Sequence, residues 1–166
     1  MKTLYIVRHA KSSWPLGVAD FDRPLNDRGK RDAPEMAERL YKRDDKIKLF
    51  VSSPAKRALT TCKLFCEQFG ISEKKIRQID NLYHASVPAF FDVVEGFDED
   101  FKKAVIFSHN PGITEFVNTL CPQFKLDNMP TCAIFAVHAD TDKWSEFRIS
   151  EKKFLFFDFP KNADKD

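Results

Sequence analysis

The stretch "YIVRHAKSSW", residues 5–14, carries a short apolar run into an arginine and a histidine. Taken back two residues the run reads "TLYIV" (3–7): apolar, rich in β-forming residues and bounded by polar ones, the pattern of a buried strand. Packing alone gives such a strand no reason to end in Arg8 and His9. A lone histidine at a strand end is more often structural than catalytic. The pair gains meaning only from what the rest of the chain sets beside it.

Two further strands end in a similar way. "KLFVSS" (48–53) reads as a strand, with Ser53 capping a helix, Pro54 at its first position, Arg57 in its first turn and Gly70 closing it after Phe69. "AVIFSH" (104–109) is a third apolar strand ending in Ser108-His109, and "PGITEFVNTL" continues it as a helix. Between these, Asn26 caps a predicted helix to about Arg43, with Ala33, Met36, Ala37 and Leu40 at helical spacing. Pro34 inside that window predicts either a later start or a kink. "KIRQID" reads as a weak, exposed strand, and Ser86 starts a helix to about Gly96. "CAIFAVHA" (132–139) and "WSEFRISEKKFLFFDF" (144–159) contain strand-like runs joined by a turn at "DTDK".

Strands alternating with helices imply an α/β fold, a three-layer αβα sandwich with a mostly parallel central sheet. The C-terminal hairpin adds an antiparallel edge. No repeat, low-complexity segment or linker interrupts the pattern, so residues 1–160 are expected to form a single domain and 161–166 a frayed tail. The chain has 166 residues, 43% hydrophobic and 31% charged, with 17 phenylalanines, many of which must fill the core. Its formal net charge of +2 is too small to make nucleic acid or a membrane the main partner, so any positive field must be local. Cys62, Cys66, Cys121 and Cys132 contain no C-x-x-C pair, and "TLYIV" is cut off by Arg8 too early for a signal-peptide core. A cytoplasmic location is the expectation. The four histidines lack metal-ligand spacing, so neither a metal nor another cofactor is expected.

In an open parallel sheet the carboxyl ends of the strands share one edge, and ligands bind there. Three strand exits therefore bring Arg8, His9, Arg57 and His109 together, close to helix N-termini. Free helix N–H groups and planar guanidinium forks make an anion site, suited to phosphate. Neighbouring guanidinium groups disfavour protonated imidazole, and neutral histidine is a nucleophile. The combination points to phosphoryl transfer through a phosphohistidine, with the arginines neutralising charge in place of a metal ion.

"RHAKSSW", "SSPAKRALTT" and "SHNPGI", in that order, resemble the phosphoglycerate mutase-like branch 1 of the histidine phosphatase superfamily. With "DFDRPLNDRGKRDA", the short length and Ala10 in place of the usual glycine, the resemblance is closest to the small phosphohistidine phosphatases of the SixA type. It runs from Met1 to about His138. It implies His9 as the phosphoryl acceptor, Arg8 and Arg57 as a phosphate clamp, and His109 as a hydrogen-bond donor to the phosphate. Arg23 and Ser12 are implied as substrate-binding residues. Arg23 has a plainer alternative, a surface pair with Asp20 or Asp22, and Trp14 either covers the rim or packs on its own loop. The carboxylate that many members use as proton donor is replaced in "NLYHAS" by His84, a candidate proton donor or merely a loop residue. His138 reads as structural. The substrate implied is a phosphohistidine-bearing signalling protein, because imidazole leaves more easily than an alkoxide. The alternatives are a small phosphate ester, or an inactive phosphate- or phosphoprotein-binding module.

Overall fold

The computed structural model describes the backbone of residues 1–165 and side chains through Asn162. Ten main elements follow in order: β1 (Lys2–Arg8), α1 (Asp27–Arg43), β2 (Leu49–Ser52), α2 (Lys56–Phe69), β3 (Arg77–Gln78), α3 (Val87–Glu95), β4 (Lys103–Ser108), α4 (Gly112–Leu120), β5 (Ile134–Ala139) and β6 (Lys152–Asp158). They form one six-stranded sheet in the order β3-β2-β4-β1-β5-β6. The first four strands of that order run parallel, β5 pairs antiparallel with β1, and β6 pairs antiparallel with β5.

The period-two alternation of β1 sorts its side chains between two cores. Leu4 and Ile6 face Phe90 and Val94 of α3 and Phe116 and Val117 of α4. Tyr5 and Val7 face Ala33, Met36 and Leu40 of α1 and Phe65 and Cys66 of α2. Two helices on each face complete the three layers, and each fully buried phenylalanine contributes about 1.5–3 kcal/mol of transfer free energy.

α1 runs through Pro34 as one helix from Asp27. Pro34 lies on its exposed side, so the carbonyl of Lys30, which loses its helical partner, faces the solvated side of the helix. Asn26 caps the helix as expected, its side chain accepting from Gly29 N at 2.9 Å. Gly29 is needed there for space, since a Cβ would lie 2.1 Å from the carbonyl oxygen of Lys11. α2 starts later than the sequence predicts, with Ala55 rather than Ser53 at its N-cap. "WSEFRIS" is not a strand. Glu99 holds a tight turn at Trp144–Glu146 by accepting from Trp144 N at 2.6 Å, and the buried indole donates to Phe101 O at 2.7 Å. Its side chain fills the core, which overrides the local β preference. A 3-10 turn spans Pro160–Lys165, in the region expected to fray, and Asp166 lies outside the described residues. Among the described residues no helix is long and apolar enough to cross a membrane.

Candidate active site

Sheet register builds the site. Arg8 pairs with Ser108, so the next residues, His9 and His109, leave the two central strands side by side. His9 N donates to Ser108 O at 3.1 Å, and the two imidazole centroids lie 5.1 Å apart. β2 ends beside them, with Ser53 N donating to Phe107 O at 3.0 Å. Ser53 Oγ accepts from Ala55 N at 3.2 Å and lies 2.8 Å from His109 Nε2. Thr61 ties the third exit to the first: its hydroxyl donates to Arg57 O at 2.7 Å and accepts from Ala10 N at 3.0 Å.

The tautomer of His9 follows from its partner. Nδ1 lies 2.8 Å from the carbonyl oxygen of Ala10, which can only accept, so Nδ1 carries the proton and Nε2 keeps its lone pair. Burial, and then the charges of Arg8, Arg57 and Arg23, push the His9 pKa down to about 3. Burial, His9 and Arg57 push His109 down to about 2. Both rings are neutral at ordinary pH.

Around them lie three buried nitrogens without partners. Arg8 Nε, Arg57 Nε and His109 Nδ1 are buried and make no hydrogen bond among the described residues. Buried polar atoms are paired in more than about nine cases in ten, so three orphans at one edge mark a place prepared for an acceptor. Arg8 is anchored through Nη1 on Met129 O at 2.8 Å. The cavity they border measures about 540 Å³ and is also lined by Ser12, Trp14, Arg23 and His84. Every site residue singled out in the sequence therefore reaches one cavity.

Their settings differ. Ser12 Oγ accepts from Arg23 Nη2 at 2.7 Å and so braces the arginine. Trp14 is 73% exposed, and the Arg23 guanidinium stacks 3.3 Å over its ring, which places Trp14 at the rim. His84 is exposed, has a positive φ of 58° and stacks 3.9 Å from Tyr83. Gly112 sits close by because a Cβ would lie 2.0 Å from Ala85 O. His138 bonds Thr3 Oγ1 through Nδ1 at 2.8 Å, between β5 and β1.

The residue that the sequence reading undervalued is Asp20. Its carboxylate accepts from Arg23 Nη1 at 3.1 Å, Arg57 Nη2 at 3.1 Å and Tyr83 Oη at 2.5 Å. Its carbonyl oxygen accepts from Arg57 Nη1 at 2.7 Å. The pair between Arg23 and Asp20 exists, but at the cavity wall, and it includes Arg57. The Tyr83 hydroxyl first, with Arg23 and Arg57, holds the Asp20 carboxyl well below the usual carboxylate range. The only signal for this in the sequence was an acid three residues before Arg23.

The solved structure of the protein histidine phosphatase SixA complexed with tungstate superposes with a TM-score of 0.82 at 21% identity, covering 97% of this chain and 99% of that one. A mycobacterial glucosyl-3-phosphoglycerate phosphatase superposes at 0.67 and 16% identity, covering 93% and 97%. An uncharacterised protein of Mycobacterium leprae is 26% identical over 93% of this chain and all of its own length. The model of branch 1 of the histidine phosphatase superfamily matches residues 4–86, which hold β1, the Arg23 loop and α2. With a neutral histidine, arginine donors and a second histidine at the edge of a phosphoglycerate mutase-like sheet, the chain belongs to the histidine phosphatase superfamily, branch 1.

Proposed function

We propose that this chain is a metal-independent phosphatase that forms a covalent phosphohistidine at His9 and takes its phosphoryl group from phosphohistidine on a protein. The observation that carries the reading is the fixed tautomer of His9, a neutral ring whose Nε2 lone pair is free beside three unpartnered buried ring and guanidinium nitrogens. In the first step Nε2 attacks phosphorus as the bond to the leaving group breaks. Nδ1–H, held on the Ala10 carbonyl, stays in place and stabilises the positive ring that results. Arg8 and Arg57 take the phosphoryl oxygens, His109 donates to the transferring group, and Arg23 with Ser12 orients the substrate from the loop side. Water then displaces His9, which departs as neutral imidazole with its proton still on Nδ1.

Two features favour a protein phosphohistidine. Among the described residues that line the cavity the one carboxyl is that of Asp20, held ionised by its three donors and so a poor proton donor. SixA, the neighbour with tungstate, a tetrahedral oxyanion like phosphate, is named a protein histidine phosphatase. A phosphate-ester substrate is the second reading, favoured by the glucosyl-3-phosphoglycerate phosphatase among the structural neighbours.

The test is brief exposure to a phosphohistidine protein, followed by mapping of acid-labile, alkali-stable phosphate to His9, with turnover assayed in EDTA. Trapping on His9 and EDTA-resistant turnover are expected. Wild-type rates from a His9→Ala protein would remove the proposal, and absence of any trapped phosphate would favour a binding module.

A further inference from the structure

Asp20 places a negative charge in a cavity otherwise built to hold an anion. Tyr83, Arg23 and Arg57 donate to its carboxylate, filling three of the roughly four acceptor positions a carboxylate offers. Its side chain remains 37% exposed, and it lines the same cavity as His9 and His109. One acceptor position is therefore left open on a carboxylate that lines the cavity. A group so placed and so strongly hydrogen-bonded is a poor proton donor. Its use must be to accept.

Leaving groups differ in where they can carry a proton. In a phosphorylated imidazole the ring nitrogen away from phosphorus can be protonated. When the P–N bond breaks, its electron pair returns to the nitrogen that held phosphorus, and neutral imidazole departs without any proton transfer. In an ester the departing oxygen must itself take a proton or leave as an anion, and an ionised carboxylate nearby opposes the second course.

Resting on the proposed phosphatase reading, we propose that Asp20 is a specificity-determining residue that selects phosphohistidine over phosphate esters. Its carboxylate accepts a hydrogen bond from the distal ring N–H of the phosphorylated imidazole and holds that leaving group protonated. The arrangement mirrors the nucleophile. His9 has its Nδ1–H held by the Ala10 carbonyl, and the substrate ring has its distal N–H held by Asp20. Phosphorus then passes between two imidazoles, and neither exchanges a proton during the transfer.

Asp20 also braces Arg23 and Arg57, so the experiment must separate selection from positioning. Wild type, Asp20→Asn and Tyr83→Phe are compared on N-phosphoimidazole and on phenyl phosphate, with kcat and KM measured between pH 5 and 9. Asp20→Asn should lower kcat on N-phosphoimidazole by about tenfold and bring its alkaline decline down by about one pH unit, the scale of one charge-assisted hydrogen bond. Turnover of phenyl phosphate should fall less, because the opposing charge is gone, so that activity on N-phosphoimidazole relative to phenyl phosphate drops by about threefold or more. Tyr83→Phe removes a donor from the carboxylate, so the ratio of the two activities should hold or increase. A parallel loss on both substrates in Asp20→Asn, an unmoved alkaline limb, or a falling ratio in Tyr83→Phe overturns the assignment. A wild-type protein that hydrolyses phenyl phosphate but not N-phosphoimidazole overturns the phosphohistidine reading itself.

Discussion

Acidification from pH 7.5 to pH 5 should weaken the fold through His9 and His109. An unfolded histidine titrates near 6.5, whereas in the folded protein burial holds these two at about 3 and about 2. The unfolded chain then binds more protons than the folded one, so stability rises with pH across this window. The contribution is intact above pH 6.5 and is lost as pH falls toward 3. At pH 5 the unfolded rings are almost fully protonated and the folded ones are not, which costs about 2 kcal/mol for each histidine, or about 4 kcal/mol together. Urea unfolding followed by Trp144 fluorescence, at both pH values, measures the loss. His9→Gln should reduce the acid-induced loss by about 2 kcal/mol, and His9→Gln with His109→Gln by about 4 kcal/mol, relative to wild type. If the double variant loses as much stability as wild type, the neutral-histidine account is wrong. Its functional side is that acid down to pH 5 should not titrate the nucleophile.

Arg57→Lys keeps a charge but loses the planar fork that meets Asp20 twice, so single-turnover phosphoryl transfer should slow by about a hundredfold while the protein stays folded. Gly112→Ala forces a Cβ to within 2.0 Å of Ala85 O, and thermal unfolding should show a loss of about 1–3 kcal/mol. His84→Gln should cost about tenfold or more on phenyl phosphate, where an acid helps, and under about threefold on N-phosphoimidazole. A larger loss on the imidazole substrate would remove His84 as the acid for esters.

The parallel half of the sheet was legible because β1, β2 and β4 are each an apolar run with polar residues at the exit. A parallel sheet gathers its carboxyl-terminal exits on one edge, so reading three strands picked out residues that line one cavity. What local pattern could not supply was the tertiary pull on individual side chains. Ser53 and Pro54 form a strong helix-start signal, yet Ser53 is placed beside His109 and the helix begins at Lys56. "WSEFRIS" carries β-forming residues, yet the indole of Trp144 is drawn into the core and fastened to Phe101 O. Pro34 looked disruptive and sits inside an unbroken α1, because its missing N–H falls on the exposed face.

Asp20 shows the deeper limit. From sequence, an acid near Arg23 in a loop reads as half of a surface ion pair, a contact worth under about 1 kcal/mol. The fold changes its meaning by bringing Arg57 from the start of α2 and Tyr83 from the end of a distant 3-10 turn to the same carboxylate. Three donors from three segments, the farthest 63 residues along the chain from Asp20, fix its charge and leave it one acceptor position. No spacing rule links Asp20 to Tyr83, so neither residue suggests the other until the chain is folded. The arginines, in turn, are held apart from one another by a counter-charge that a phosphate need not displace completely, because Arg8 Nε and Arg57 Nε remain free of it. A pocket of arginines alone would accept any phosphate. An ionised acid inside it makes the leaving group part of the selection.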